Sequence, residues 1–209
     1  PNQAVALAVP MDAALSEWES APELIQEQDM GWMGEFRDPF VWREEEAFYM
    51  LVGTGDANNG GGNALLYSSE DGISWKNHGF FVEYDYTQNP EVGHVWELPV
   101  LLPLRDENNR IVCHILLLCA AQIENEIVET YYFLGDWNPG TQTFRKHHKR
   151  ARLLDLGKGV FTGPSGFVTP DGRSVVFTIA QGKRQYPEEL HAGWAHNGGL
   201  PVELTIREG

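Results

Sequence analysis

Three prolines stand at matching points of three similar stretches, and this register restricts the fold more than any other feature of the chain. Pro39 lies in Arg37-Asp38-Pro39-Phe40-Val41-Trp42 and Pro99 in Trp96-Glu97-Leu98-Pro99-Val100-Leu101-Leu102. Pro164 lies in Thr162-Gly163-Pro164-Ser165-Gly166-Phe167-Val168, so the prolines recur 60 and 65 residues apart. Each stretch is followed, across a charged or turn-forming cluster (residues 44–46, 106–109 and 170–172), by a second apolar run at 48–52, 111–117 and 174–179. Such pairs read as hairpins. A third run follows in each unit, at 64–67, 130–133 and 192–194, and the first two lead into an outer turn with an aromatic, 69–75 and 136–144. Three to four antiparallel strands at a fixed period are the pattern of a β-propeller blade. A β-sandwich would also give short strands and turns, but it leaves the proline register unexplained. Residues 5–9, through Asp12 to Trp18, read as the second half of a unit without its first half. The expected fold is therefore an all-β propeller, begun mid-blade. Its units fall at 1–30, 31–89, 90–155 and 156–209, the last holding the fourth blade and the start of another. Only residues 14–28 leave room for a turn or two of helix.

Composition narrows the partners. The 209 residues carry 15 Lys and Arg against 30 Asp and Glu, a formal charge of −15. Duplex nucleic acid needs a basic footprint and anionic membrane surfaces attract basic segments, so both are excluded as expected partners. The longest apolar run, 111–121, contains His114 and is too short to span a bilayer. No positively charged leader with an apolar segment opens the chain, and localisation is left open. Cys113 and Cys119 stand six apart in that one run. On a strand they share a face roughly 20 Å apart, too far to pair, and read as small core residues.

In a propeller the first strand of each blade lines the central funnel, so a charged residue just before a recurrent proline is conspicuous. Asp38 is one, with Arg37 beside it able to grip a ligand in fixed geometry. Glu97 is the other, the only charged residue from 95 to 104. A lone carboxylate in an apolar strand costs several kcal/mol unless paired or protonated, and apolar surroundings favour the protonated form that a glycosidase uses as general acid. Two other readings stand beside these: Asp38 as a turn cap before Pro39, and Glu97 as a structural partner of an arginine such as Arg37. His94, three residues before Glu97, is a packed or surface histidine or a sugar contact.

Phe36-Arg37-Asp38-Pro39-Phe40-Val41 resembles the Arg-Asp-Pro motif of glycoside hydrolase family 32, the invertase, levanase and inulinase family. Val95-Trp96-Glu97-Leu98-Pro99 resembles its Trp-Glu-Cys-Pro motif, with Leu98 in place of Cys. The stretch through Leu66-Tyr67-Ser68-Ser69 to Trp75 is similar too, as is Gly193-Trp194-Ala195 with Gly199-Leu200-Pro201-Val202-Glu203-Leu204. The resemblance implies a five-bladed propeller, incomplete in this chain, that hydrolyses fructosyl bonds of sucrose or fructans with retention. It implies that Glu97 is the general acid/base, that Asp38 binds fructose hydroxyls and stabilises the oxocarbenium-like transition state, and that Arg37 holds the ring hydroxyls. Thr162 falls where the family often has a sugar-contacting Tyr. The family's nucleophile, an Asp in Trp-Met-Asn-Asp-Pro-Asn, has no counterpart upstream of Asp38. Asp12 matches an outer part of the first unit, and Trp137-Asn138-Pro139-Gly140 reads as an outer turn.

Other features carry less. Arg145-Lys146-His147-His148-Lys149-Arg150 reads as a solvated loop or a phosphate contact, and its adjacent histidines lack metal-ligand spacing. Residues 53–63, rich in Gly and Asn, are no phosphate loop, since no Lys-Ser/Thr follows; they read as a mobile connection at a blade rim. No cofactor or metal is expected. The expected partner is a carbohydrate, with self-association through the incomplete blade. The alternatives are a pentose-selecting arabinosidase- or xylosidase-like propeller and a non-catalytic sugar-binding one. A sialidase is disfavoured, because only Arg37 among the needed arginines sits in a funnel position.

Overall fold

The computed structural model describes residues 3–25, 30–31, 34–58, 60–122, 125–154, 161–181, 184 and 186–207. The first sheet pairs β1 (Val5–Pro10) with β2 (Trp18–Ile25). The second runs in sequence order through β3 (Phe36–Glu44), β4 (Ala47–Gly55), β5 (Gly62–Ser69) and β6 (Lys76–Phe80). Short 3-10 turns at Tyr86–Gln88 and Pro90–Val92 lead to the third sheet, β7 (Val95–Arg105), β8 (Ile111–Gln122), β9 (Asn125–Asn138) and β10 (Thr143–Lys146), with β11 (Arg152–Leu153) also on β9. The fourth holds β12 (Thr162–Val168) and β13 (Ser174–Ala180); after a short helix α1 (Glu188–Ala192), β14 (Asn197–Gly198) and β15 (Val202–Leu204) both pair with β13. Every pairing is antiparallel. The architecture is an all-β propeller of four blades among the described residues.

Alternation along the central strands builds the packing. On β4, Tyr49 and Leu51 face the third sheet while Met50 and Val52 face the first; on β5, Ala64 and Leu66 face the third, Leu65 and Tyr67 the first. On β8, Leu116, Leu118 and Ala120 join the core with the second sheet, whereas Cys113, Ile115 and Leu117 join the core with the fourth. A strand buried on both faces reads as a continuous apolar run, which accounts for residues 111–121. The two cysteines are free and buried. The innermost strands meet, β7 packing against β3 and β12.

Two sequence expectations are corrected. The room for helix at 14–28 is taken, where described, by β2, because Pro22 cannot sit inside a helix and a two-stranded pairing with β1 satisfies the backbone; residues 26–28 lie outside the described residues. The third run expected at 192–194 is the end of α1. Glu188, Glu189, Leu190 and Ala192 are good helix formers, and Gly193 ends the helix at φ 75°. The pairing expected there is made by β14 and β15 at the two ends of β13.

Candidate active site

The proline register is a repeated β-bulge. In β3 the pairing with β4 slips between Arg37 and Phe40, in β7 between Glu97 and Val100, and in β12 between Thr162 and Ser165. At each slip two residues oppose one across the ladder, and the second of the two is the proline. A bulge is where a central strand tolerates a residue without an N–H. The residue before each proline is left-handed: Asp38 at φ 57°, Leu98 at 49° and Gly163 at 59°. Gly163 adopts this freely, Asp with some ease, and Leu98 only under constraint from its surroundings. Arg37, Glu97 and Thr162 are thus equivalent positions, as are Asp38, Leu98 and Gly163.

The bulges bring the charged residues together. The Asp38 carboxylate reaches from β3 to β7 and accepts the Leu98 N–H at 3.1 Å. Arg37 Nη1 donates to Glu97 Oε1 at 2.8 Å, and its Nη2 pairs with Glu35. These side chains stay partly open, Arg37 30 %, Glu35 34 % and Glu97 26 % exposed. Glu97 is therefore not the solitary carboxylate in an apolar strand expected from its neighbours. The bulge turns it out of the sheet toward an arginine of the preceding blade, the structural pairing the sequence also admitted. The turn-cap reading of Asp38 is replaced by a bond across blades.

Cys119 is the register partner of Glu97 on β8. Its Sγ accepts the Gly163 N–H at 3.2 Å and lies 3.7 Å from the hydroxyls of Thr130 and Thr162. Burial pushes this thiol up, and the nearby Glu97 charge adds to the rise. Thr162 is only 4 % exposed, its hydroxyl lying against the Cys119 thiol. His94 Nδ1 lies 3.0 Å from the Gly60 carbonyl, with its ring 5.4 Å from that of Tyr86. It fastens the glycine-rich turn to the start of β7. That turn is well bonded where described: Asp56 N–H donates to Gly61 O, Gly60 N–H to Asp56 O and Gly62 N–H to Gly93 O.

Other candidates stand apart. Asp12 closes the exposed β1–β2 turn, accepting Ser16 N–H at 2.8 Å; its bonds to Ser16 hold its carboxyl below the usual range. In the basic run, Arg145 and Lys146 belong to β10, and Arg145 and His147 both bind Asp136. Lys146 lies over the rings of Tyr84 and Phe133. A cavity of about 440 Å³ opens at the far end of β3 and β7, lined among others by Trp42, Arg105, His114 and Phe167. Neither Asp38 nor Glu97 lines it, and the gathered carboxylates make the bulges the better candidate. Glu35 and Cys119 were not singled out from the sequence. Glu35 had a legible signal, since residues two apart on an extended chain share a face.

Asp38, Arg37 and Glu97 thus meet on two neighbouring innermost strands of the propeller, with Glu35 just before β3. Over residues 1–209 the chain matches the family model described as glycosyl hydrolases family 32 N-terminal domain, and it belongs to that family. It is 32 % identical over 188 residues to a sucrose-6-phosphate hydrolase of Salmonella typhimurium, with 86 % of this chain and 38 % of the relative covered. It is 26 % identical over 183 residues to one of Bacillus subtilis (strain 168), covering 84 % of this chain and 36 % of that protein. The chain thus spans well under half the length of these relatives. Among solved structures, fructan 1-exohydrolase IIa from Cichorium intybus superposes with a TM-score of 0.78 at 21 % identity, covering 97 % of this chain and 39 % of that one. A Bombyx mori GH32 beta-fructofuranosidase in complex with sucrose gives 0.77 at 21 % identity, covering 96 % and 41 %. At that identity the likeness is one of fold.

Proposed function

We propose that this chain is the part of a retaining β-fructosidase that carries the acid/base and a substrate-gripping carboxylate. The bond cleaved is the fructosyl bond of sucrose, of its phosphate ester or of a fructan. Glu97 gives a proton to the leaving-group oxygen and later takes one from the attacking water; Asp38 and Arg37 hold the fructose hydroxyls. Asp12, whose carboxylate is occupied in the β1–β2 turn, does not serve as the nucleophile facing Glu97. His94 shapes the rim through Gly60, and Thr162 acts through Cys119. Each of the four units carries one blade, and a fifth sheet completes the propeller. The uncovered Phe167 and Phe177, 47 % and 44 % exposed, support that fifth sheet. The family match over the full chain favours this reading over the pentosidase and the non-catalytic propeller.

The observation that carries the reading is the bonding of two bulges: Asp38 to the Leu98 N–H, and Arg37 to Glu97. In the full-length protein, Glu97→Gln should lower sucrose turnover by about 10²–10⁴-fold, the usual worth of a general acid. A fructoside with an activated aryl leaving group, which needs little protonation, should lose far less. Steady-state kinetics on both donors decides. Equal losses would make Glu97 a positioning group and overturn the acid/base assignment.

A further inference from the structure

Arg37 has two carboxylate partners, and an acid/base needs only one of them. Its Nη1 is bound by Glu97 at 2.8 Å and its Nη2 by Glu35, while its Nε is buried without a hydrogen-bond partner. The guanidinium is therefore oriented through its two terminal nitrogens alone. This creates a difficulty for catalysis. A general acid must carry a proton at the moment of glycosidic cleavage, and a protonated carboxyl no longer offers its arginine a counter-charge. Once Glu97 is protonated, an arginine with no other partner would be left partly buried and uncompensated, which is costly.

We propose that Glu35 is a positioning residue for the acid, holding Arg37 compensated and in place while Glu97 carries its proton. The inference rests on the reading of Glu97 as acid/base. Glu35 exchanges no proton and touches no reacting atom. It keeps a constant charge on the far side of the guanidinium, so that the near side can release Glu97 without Arg37 moving. The geometry suits this: Glu35 and Arg37 approach from the same strand entry, and Glu97 comes from the neighbouring blade. The other charged group at this point, Asp38, is directed to the Leu98 N–H. On the β8 side the neighbour of Glu97 is the Cys119 thiol, which burial keeps neutral.

The test uses the full-length protein and the variants Glu35→Gln, Glu35→Asp and Glu97→Gln, each assayed on sucrose and on an aryl fructofuranoside. Glu35→Gln keeps shape and removes charge, leaving Arg37 to Glu97 alone. Its kcat on sucrose should fall about tenfold or more, with less than about a threefold fall on the aryl donor. KM should change little, and Glu35→Asp should recover most of the loss. Equal losses on both donors, or no loss on either, would overturn the inference while the Glu97→Gln result stands. If Glu97→Gln itself shows no preference between donors, the acid/base reading falls and this inference falls with it.

Discussion

Gly53 is the residue on which the meeting of the two bulges depends. It is the register partner of Arg37 on β4, and a Cβ built on it would lie 2.2 Å from the Trp96 carbonyl oxygen and 3.4 Å from that of Arg37. Those atoms are backbone and cannot rotate away. Gly53→Ala must push β7 from β4 and draw the Leu98 N–H away from Asp38. We expect a loss of about 1–3 kcal/mol or more, the range for overpacking. Gly198→Ala, where a Cβ meets nothing within 4 Å, should stay within about 0.5 kcal/mol. Urea titration of both variants checks this, and equal stabilities would show that the blades can part cheaply. At this scale the sequence was partly legible. Asp38 and Glu97 stood out as charges in strands, and the Arg37–Glu97 pairing was open on chemical grounds. The place of Cys119 behind Glu97 was not, because its register depends on the bulge at Leu98 and Pro99, which only the folded pairing reveals. Thr162 was read by likeness of position, and its burial comes from packing on another blade.

Single elements follow local chemistry where a turn residue dictates them. The β5–β6 connection is closed by Asp71, whose carboxylate accepts the N–H groups of Ile73 at 2.8 Å and Ser74 at 2.7 Å and the Ser69 hydroxyl at 2.9 Å. Those donors hold its carboxyl far below the usual range. A depressed folded value means the contribution is complete above the unfolded value of about 4 and is lost as pH falls toward the folded one. The melting temperature of Asp71→Ala should therefore lie below that of the parent at pH 7. The gap should narrow progressively below about pH 4. A gap unchanged down to about pH 2 would mean that the turn does not depend on the charge. This turn was legible, as were the central strands, because turn residues and β-branched runs act locally. The element at 18–25 and the helix at Glu188–Ala192 were misread for a shared reason. One is a polar, edge-like strand with weak alternation, and the other is a five-residue helix between β13 and the two short strands that complete its sheet.

At the scale of the molecule, each sheet is a slab that must bury both faces on its neighbours. The second and third sheets do so. The fourth buries Ser174, Val176 and Thr178 on one face of β13, while Phe177 and Ile179 on the other face remain exposed, with Phe167 stacked on Phe177 at 6.2 Å. The proline register made the row of blades readable. It placed the incomplete edge at the first unit, whereas the fourth sheet leaves an apolar face uncovered as well. A contiguous apolar patch of this kind promotes association. We therefore expect the 209-residue chain, produced alone, to self-associate in a concentration-dependent way through the outer face of β12 and β13. The double variant Phe177→Glu, Ile179→Lys replaces exposed side chains and leaves Val176 and its core in place. It should shift sedimentation velocity profiles toward the monomer without lowering the melting temperature by more than a few degrees. If the variant assembles as strongly as the parent, the contact lies elsewhere. The two-stranded first sheet, whose open strand edges can pair with another chain, would then be the surface to alter.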